Sequence, residues 1–367
     1  MARVSLIRCA SYDPDAVYES VKRAVDLVGG IGSFVKQGMK VLLKPNLLSE
    51  RPPEDAVDTH PEVVRVVARL VKIAGGEPVI GDAPGGYGKN IEAIFEKSGI
   101  RRVAKEEGIG LVKFTSSRFI EGIPITNYVF DCDRIISLPK LKTHSITVLT
   151  AGIKNMFGTV TGLYKAETHS RAPREEDLVK ILAKVFSIAK PHLTVLDGIV
   201  AMDGDGPAAG DPKSMKLVMA SPDAVAIDAC VAKIVGLNPL DILLTKAAYE
   251  AGLGEADLAR IEIAGEAIDE FISKDFRLPQ TTPLKVIPRA VVNALASFIR
   301  FKPWINEDLC ERCGLCGETC PVDAITVERN HCRIDYKKCV RCLCCQEVCP
   351  YRAISIRRNI LTKMVWG

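Results

Sequence analysis

The sequence predicts an α/β fold with a mostly parallel sheet covered by helices, followed by a small C-terminal α+β domain. Three observations favour this class. Strand-length apolar runs alternate with helical runs along the first two thirds of the chain. The apolar residues of those runs are continuous and do not alternate with polar ones, as expected of parallel strands that are buried on both faces. Ten of the 13 cysteines lie after residue 309, which marks the end of the chain as a separate unit.

The predicted elements of the first domain follow one another in order. Strands are expected at residues 39–48, 77–84, 134–140, 193–199 and 215–221. Helices are expected at residues 60–76, 90–99, 175–190 and 222–236. These elements give an α/β domain at residues 1–280, a linker helix at 281–304 and the C-terminal domain at 305–367.

The C-terminal domain contains two cysteine runs with the same spacing. Each run reads Cys-x2-Cys-x2-Cys-x3-Cys-Pro, at residues 310–321 and 339–350. This is the spacing of bacterial-type ferredoxins, in which the fourth cysteine of each run binds the cluster of the other run. The predicted ligands of the first [4Fe-4S] cluster are Cys310, Cys313, Cys316 and Cys349. The predicted ligands of the second are Cys339, Cys342, Cys345 and Cys320.

The sequence around these runs supports a two-cluster ferredoxin domain. Residues 324–328 and 332–336 alternate apolar and polar positions around a turn, which predicts a hairpin that brings the runs together. Residues 353–358 repeat the pattern of residues 324–329, so the domain is an internal duplication. A zinc site built from CxxC pairs is the alternative, but it does not require two sets that each close with Cys-Pro. The remaining cysteines are expected to be ordinary thiols: Cys9, Cys132, Cys230, Cys332 and Cys344.

Composition and charge argue against several classes of protein. The formal net charge of +4 is spread along the chain, which argues against nucleic-acid binding. Charged residues interrupt the most apolar stretch, residues 286–305, so no transmembrane segment is expected. No signal-peptide pattern is present at the start, and 13 cysteines without one predict a reducing compartment and a cytoplasmic protein.

Polar clusters follow four of the predicted strands. The clusters are Lys44-Pro45-Asn46, Gly81-Asp82, residues 139–144 and Asp197-Gly198. Because open α/β sheets bind ligands at the carboxyl ends of their strands, these clusters predict one shared site. The loop at 81–90 lacks both the Walker spacing and a complete GxGxxG, and the loop at 203–211 is more typical of a turn than of a cation site.

The predicted site combines lysines and histidines. Lysines capture anions and histidines transfer protons, so the pattern predicts a pocket for an anionic organic substrate or an additional, unidentified cofactor. The expected catalytic residues are His60, His144, Lys154 and His169. The expected binding residues are Lys44, Asn46, Lys140, Lys142, Asn155 and Lys165.

Several motifs together resemble the domain of unknown function 362 family, whose members are often fused to a C-terminal two-cluster ferredoxin. The matching motifs lie within residues 35–240 and include KPNLL, THPEVV, GDA, LPKLKTH, GIKNMFG, DGI and DAVAID. This resemblance implies an iron–sulfur protein and implies no particular substrate.

A fainter resemblance is to the nickel-dependent lactate racemase family. The order of His144, Lys154 and His169, with His60 upstream, is similar to the order of functional residues in that family. The resemblance implies a pyridinium-derived nickel cofactor anchored by Lys154, with His60 and His144 exchanging protons. The glycine-rich surroundings of the lysine differ, and racemisation has no evident need for two electron-transfer clusters.

Three functions follow from these observations. The first is an oxidoreductase in which the clusters relay electrons to or from the Lys/His site. The second is a non-catalytic electron-transfer protein whose large domain docks a redox partner. The third is a racemase-like enzyme that acts on a hydroxy acid. The expected partners are therefore a redox protein or a small-molecule substrate.

Overall fold

The computed structural model describes residues 1–84, 90–162, 164–171, 175–279 and 301–358, with only the backbone described at residues 166, 169–171, 301 and 358. The helices are α1 (Pro14–Asp26), α2 (Ile31–Phe34), α3 (Pro61–Ile73), α4 (Ile91–Lys97), α5 (Ile100–Glu107), α6 (Tyr128–Asp131), α7 (Gly152–Asn155), α8 (Tyr164–Arg171), α9 (Glu175–Ile188), α10 (Ala224–Ile234), α11 (Leu243–Glu250), α12 (Leu315–Glu318) and α13 (Cys344–Val348). Short 3₁₀ turns lie at Pro53–Asp55, Met156–Thr159, Pro239–Asp241, Leu258–Arg260 and Ile268–Phe271.

The strands are β1 (Ala2–Arg8), β2 (Lys40–Pro45), β3 (Glu77–Asp82), β4 (Gly110–Lys113), β5 (Ser117–Ile120), β6 (Ile123–Thr126), β7 (Arg134–Leu138), β8 (Lys140–His144), β9 (Val148–Thr150), β10 (Leu193–Asp203), β11 (Asp211–Ser221), β12 (Ile261–Gly265), β13 (Phe301–Ile305), β14 (Ile325–Val327), β15 (Cys332–Ile334) and β16 (Ile354–Arg358).

The described part of the first domain is built on a ten-stranded sheet of order β12-β1-β11-β10-β7-β2-β3-β4, with β8 beside β10 and β9 beside β8. Strands β10, β7, β2, β3 and β4 run parallel, and β11 runs antiparallel to both β10 and β1. The predicted α/β class with a mostly parallel sheet is confirmed. Strands β1 and β12, which were not predicted from the sequence, extend the sheet at one edge.

Apolar side chains fill both faces of this sheet. Leu42 of β2 packs into one core together with Phe186 of α9. Its neighbours Val41 and Leu43 pack into the opposite core together with Val67 of α3. Side chains alternate between the faces of a strand, so a strand that is apolar throughout needs helices on both sides. Helices α1, α3, α4 and α5 cover one face, and α7, α9, α10 and α11 cover the other.

Helix α3 begins at the carboxyl edge of the sheet. His60 precedes it with an extended backbone, and Pro61 takes the first helical position. Nδ1 of His60 accepts a hydrogen bond from the backbone N–H of Glu62 at 3.2 Å. This bond satisfies one of the N–H groups that the start of a helix leaves without a partner.

The described part of the C-terminal domain, residues 301–358, contains two antiparallel strand pairs and two short helices. β13 pairs with β16, and β14 pairs with β15. Helix α12 begins two residues after Cys313 and α13 begins two residues after Cys342, as the duplication predicts. Residues 301–304 were expected in the linker helix, but they form β13 because they pair with β16. The domain therefore begins near residue 301, and the rest of the predicted linker, 281–300, lies outside the described residues.

Among the described residues, the helices are too short or too polar to cross a membrane.

Candidate functional site

A cleft lies between the α/β domain and the C-terminal domain. Its wall on the α/β side includes Lys44, Asn46, Asp82, Lys154, Asn155 and Lys165. Its wall on the C-terminal side consists of Thr319, Cys344, Glu347 and Val348. Five of the residues predicted from sequence therefore lie together: Lys44, Asn46, Lys154, Asn155 and Lys165.

The floor of the cleft is a buried ion pair between neighbouring parallel strands. Lys44 stands near the end of β2 and Asp82 at the end of β3, and Lys44 Nζ lies 2.7 Å from Asp82 Oδ1. Burial lowers the pKa of Lys44, although Asp82 opposes the shift by favouring the charged form. A Cβ atom at Gly158 would collide with both charged groups, which explains the glycine at this position.

Asn155, at the end of α7, connects this pair to Asn46. Its Oδ1 accepts hydrogen bonds from Lys44 Nζ at 3.1 Å and from Asn46 Nδ2 at 3.3 Å. Its Nδ2 donates to the carbonyl of Lys44 at 3.2 Å and to Ser137 Oγ at 2.9 Å. The Asn155 amide is thus held on both sides, and Asn46 must turn its own nitrogen toward it.

Two further lysines line the same wall. The ammonium of Lys165 donates a hydrogen bond to the carbonyl of Ala83 and lies 5.7 Å from the ring centroid of Phe157. Lys154 is partly buried, and in the described part of the chain its ammonium has no hydrogen bond or ion pair. Burial lowers the pKa of Lys154, and the nearby Glu347 opposes this shift. An ammonium without a close partner can bind an anionic ligand.

Helix α13 docks the C-terminal domain against the end of β8. Nδ1 of His144 accepts hydrogen bonds from the backbone N–H groups of Ile146 at 3.1 Å and Thr147 at 3.3 Å. In the neutral ring the proton therefore lies on Nε2, which is 3.0 Å from Glu347 Oε1. Next to it, Ser145 Oγ donates to Gln346 Oε1 at 3.2 Å. His144 is buried at this contact between the domains and does not line the cleft.

A second buried network includes His60 and Lys140. The His60 ring stacks on Tyr12 with centroids 3.5 Å apart, and its backbone N–H donates to Asp197 Oδ2 at 2.9 Å. Lys140 Nζ donates to Asp197 Oδ2 at 2.9 Å and to the Tyr12 hydroxyl at 2.7 Å. Burial lowers the pKa of His60 to about 4. These four residues tie the start of α3 to β10 and do not line the cleft.

The structure therefore divides the single site that the sequence predicted. Lys142 Nζ donates to the carbonyl of Val57 at 2.6 Å and is buried away from the cleft lining. His169 lies on α8, and its side chain is outside the described residues. The loop at 203–211 packs on β8, where Ser145 N donates to the carbonyl of Gly206 at 3.1 Å. Part of the loop at 81–90, residues 85–89, is also outside the described residues.

The C-terminal domain brings cysteines of both runs together. A small cavity is lined by Cys310, Cys313, Cys316 and Cys349, which are the four predicted ligands of the first cluster. The backbone N–H of Ala353 donates to Cys349 Sγ at 3.3 Å, and that of Ala324 donates to Cys320 Sγ at 3.2 Å. Such N–H···S bonds stabilise thiolate ligands, so the donor set suits an iron–sulfur cluster.

The predicted second ligand set is also close together. Burial raises the pKa of Cys345 well above its ordinary value, and the nearby thiols of Cys342, Cys316, Cys339 and Cys320 add to this effect. Two cysteines that were expected to be ordinary thiols lie next to these sets. Cys332 lines the first cavity with its sulfur 4.0 Å from that of Cys316, and Cys344 lines the cleft.

The cleft residues that the C-terminal domain contributes were not identified from the sequence: Thr319, Cys344, Glu347 and Val348. Thr319 and Val348 stand at equivalent positions of the duplication, immediately before the fourth cysteine of each run. The equivalent residues of the two halves therefore both line the cleft. This symmetry was visible in the sequence, but the surface that it faces was not.

Comparisons with known proteins agree with this architecture. The family "Domain of unknown function (DUF362)" matches residues 41–233, and a "4Fe-4S binding domain" matches residues 303–326 and 333–355. The "Thylakoid-associated protein sll1697" of Synechocystis sp. is 35% identical over 308 residues, which cover 81% of this chain and 95% of that protein.

Among solved structures, the lactate racemase apoprotein from Thermoanaerobacterium thermosaccharolyticum is similar with a TM-score of 0.37 and 11% sequence identity. The similarity covers 61% of this chain and spans about half, 54%, of that chain. At this TM-score the similarity carries no argument about chemistry. The DUF362 match covers more than half of the residues and the match to the Synechocystis protein covers most of them, so the chain belongs to the DUF362 family and carries a C-terminal 4Fe-4S binding domain.

Proposed function

We propose that the protein is an iron–sulfur oxidoreductase that holds two [4Fe-4S] clusters and binds an anionic organic substrate or cofactor in the cleft. The clusters, when bound, supply or remove single electrons next to this ligand. The same cysteine chemistry suits a reducing compartment such as the cytoplasm.

The observation that carries this proposal is that two short segments of the C-terminal domain both line the cleft and hold cysteines of the second set. Thr319 and Cys344 line the cleft, and each is followed directly by a predicted ligand of the second cluster, Cys320 or Cys345. The wall of the cleft and the second cysteine set are therefore parts of the same short segments. A ligand in the cleft would lie against the protein layer that holds these thiolates.

The charges of the cleft favour an anion. The Lys44–Asp82 pair is neutral as a unit, and next to it the ammonium of Lys154 has no ion pair in the part of the chain that the structure describes. Lys154 also holds a proton at Nζ, and burial lowers its pKa, so it can both bind an anion and donate a proton to it. A reduction that consumes protons and electrons together would use both properties.

The first cysteine set is placed where its cluster could exchange electrons with an external redox partner. Cys313 is exposed, whereas Cys345 of the second set is buried behind the cleft wall. An external redox partner would therefore meet the first set, and the second set would face the ligand. This arrangement supports a relay from a partner protein to the cleft or in the reverse direction.

The geometry favours this function over the racemase-like one. That function uses His60 and His144 as a proton-exchanging pair, but neither residue lines the cleft. His60 caps α3 and stacks on Tyr12, and His144 binds the docking helix.

Reoxidation of reduced protein tests the proposal. The protein is purified without oxygen, reduced with a stoichiometric dye, and mixed with size-fractionated cell extract while the cluster absorbance is followed. We expect a small-molecule fraction to reoxidise the protein, and we expect Lys154→Ala to slow this reaction. The matched control is Lys184→Ala, because Lys184 forms an exposed pair with Glu121 at 2.6 Å and does not line the cleft. Reoxidation by protein fractions alone, at equal rates in both variants, would instead indicate a non-catalytic electron carrier.

A further inference from the structure

Three polar groups of the cleft have no partner in the part of the chain that the structure describes. They are the ammonium of Lys154, Oδ1 of Asn46 and Oγ1 of Thr319. The oxygens of Asn46 and Thr319 are both buried, and Thr319 as a whole is only 3% exposed. A buried polar atom without a hydrogen bond costs free energy, and such atoms often receive their partner from a ligand.

The orientation of the Asn46 side chain follows from its neighbours. Oδ1 of Asn155 already accepts a hydrogen bond from Lys44 Nζ, so this atom is an acceptor and requires a donor from Asn46. Asn46 can provide that donor only through its amide nitrogen, which leaves its oxygen on the other side. A ligand that binds at this oxygen must therefore present an O–H or N–H group.

Thr319 introduces a difference between the two halves of the C-terminal domain. Its counterpart in the duplication is Val348, which has the same shape but a methyl group in place of the hydroxyl. Both residues line the cleft. A ligand there meets a hydroxyl from one half and an apolar group from the other, so the C-terminal domain itself can orient it.

We propose that the cleft binds an oxyanion that carries a hydrogen-bond donor beside its negative charge, and that both domains hold it at once. The anion binds Lys154, the donor binds Asn46 Oδ1, and the Thr319 hydroxyl supplies a contact from the C-terminal domain. This inference rests on the proposed function for the position of the ligand, and it adds the chemical class. A carboxylate with a neighbouring hydroxyl or amide N–H and a hydrogen phosphate share this chemistry.

Binding of four probes to the oxidised, anaerobic holoprotein tests the class without any electron transfer. Acetate offers only a charge, glycolate adds an O–H donor, N-acetylglycine adds an N–H donor, and inorganic phosphate represents the other oxyanion. We expect glycolate, N-acetylglycine or phosphate to bind at least about fivefold more tightly than acetate, as one added hydrogen bond allows. Ligand-observed NMR suits the weak affinities that such small probes have.

Three variants separate the contacts. Lys154→Gln should lower the affinity for all four probes by about tenfold, because it removes a charge-assisted hydrogen bond. Asn46→Leu should abolish the preference over acetate while acetate itself still binds. Thr319→Val should lower the affinity for the preferred probe several-fold. The valine at the equivalent position 348 indicates that the fold accepts this side chain. Iron content and circular dichroism confirm that each variant is folded.

Equal affinity of all probes for the wild-type protein, or no binding of any probe, would overturn the inference. A preference that survives in both Asn46→Leu and Thr319→Val would overturn it as well. Because these measurements use oxidised protein, such results would leave the reoxidation experiment and the proposed function standing. The opposite outcome is also possible to distinguish. If the probes show the expected preferences but no small molecule reoxidises the protein, the proposed function is contradicted and the proposed binding site is supported.

Discussion

Nε2 of His144, at the end of a strand in the large sheet, lies 3.0 Å from Oε1 of Glu347 on the helix that carries Cys345. This contact joins the two domains beside the cleft. The His144 ring is 1% exposed, and its other nitrogen is held by two backbone N–H groups. A ring fixed on one side in this way can hold its partner in a defined position.

We expect Glu347→Ala to loosen the docking of the C-terminal domain. We expect a loss of about 0.5–3 kcal/mol, because the buried His144 ring loses a carboxylate that lies 3.0 Å from its Nε2. Hydrogen exchange of the Ile146 and Thr147 amides, which bind the same ring, measures the effect. The matched control is Glu328→Ala, since Glu328 pairs with His331 at 3.2 Å on the surface, where such pairs contribute about 0–1 kcal/mol. Unchanged exchange in Glu347→Ala would mean that the contact does not hold the domains together.

The low pKa of His60 predicts a stability that depends on pH. Burial lowers this pKa to about 4, whereas an unfolded histidine titrates near 6.5. Between these values the unfolded chain binds a proton that the folded protein does not, so stability is full above about pH 6.5 and falls toward pH 4. The loss approaches about 3 kcal/mol at the acid end.

Replacement of His60 by asparagine isolates this contribution. Asparagine caps helices well but does not titrate, so His60→Asn should keep α3 and lose part of the pH dependence. Thermal unfolding of both proteins under anaerobic conditions at pH 7 and pH 5 measures the difference. The expectation fails if the two proteins lose the same stability between these pH values.

Gly158 should not tolerate a larger side chain. The added Cβ of Gly158→Ala would collide with the Lys44 ammonium and the Asp82 carboxylate, so we expect a loss of about 1–3 kcal/mol and weaker ligand binding in the cleft. Gly32→Ala is the control, because Gly32 lies in a short helix with open space around its Cβ position. That change should be neutral or stabilising by up to about 1 kcal/mol. Similar losses in the two variants would contradict the proposed close packing at the buried ion pair.

Cysteine variants test the exchange of ligands between the two runs. Cys349→Ser should damage the first cluster and Cys320→Ser the second, although each residue belongs to the run of the other cluster. We expect iron to fall from about eight to about four per chain in each variant, with different electron paramagnetic resonance signals remaining. Cys332→Ser and Cys344→Ser are the controls and should keep about eight irons. Loss of iron in Cys344→Ser but not in the ligand variants would falsify the assignment.

The sequence predicted the fold class well and the edges of the fold poorly. The strands at residues 40–45 and 77–82 were visible because parallel strands buried on both faces are apolar throughout. Strand β1 was missed, although it pairs with β11 and β12, because its seven residues mix polar and apolar positions. The pairing of residues 301–305 with β16 was missed for a related reason, since it depends on residues that lie far along the chain.

The candidate site was predicted in part. Lys44, Asn46, Lys154, Asn155 and Lys165 were identified from their motifs, and the structure places them around one cleft. His60 and His144 were grouped with them because histidines can transfer protons beside lysines that bind anions, but residue type does not determine which way a side chain faces. Whether a ring faces a cleft, a helix start or a docking helix depends on which backbone groups bind its nitrogens.

The sequence by itself determined the cysteine spacing, the duplication and the alternation of strands and helices, because these are properties of neighbouring residues along the chain. Only the tertiary structure decided that Thr319, Cys344, Glu347 and Val348 close the cleft opposite Lys154. That arrangement arises from the packing of a short C-terminal helix against the end of a distant strand. Long-range packing of this kind leaves no periodic pattern in either segment.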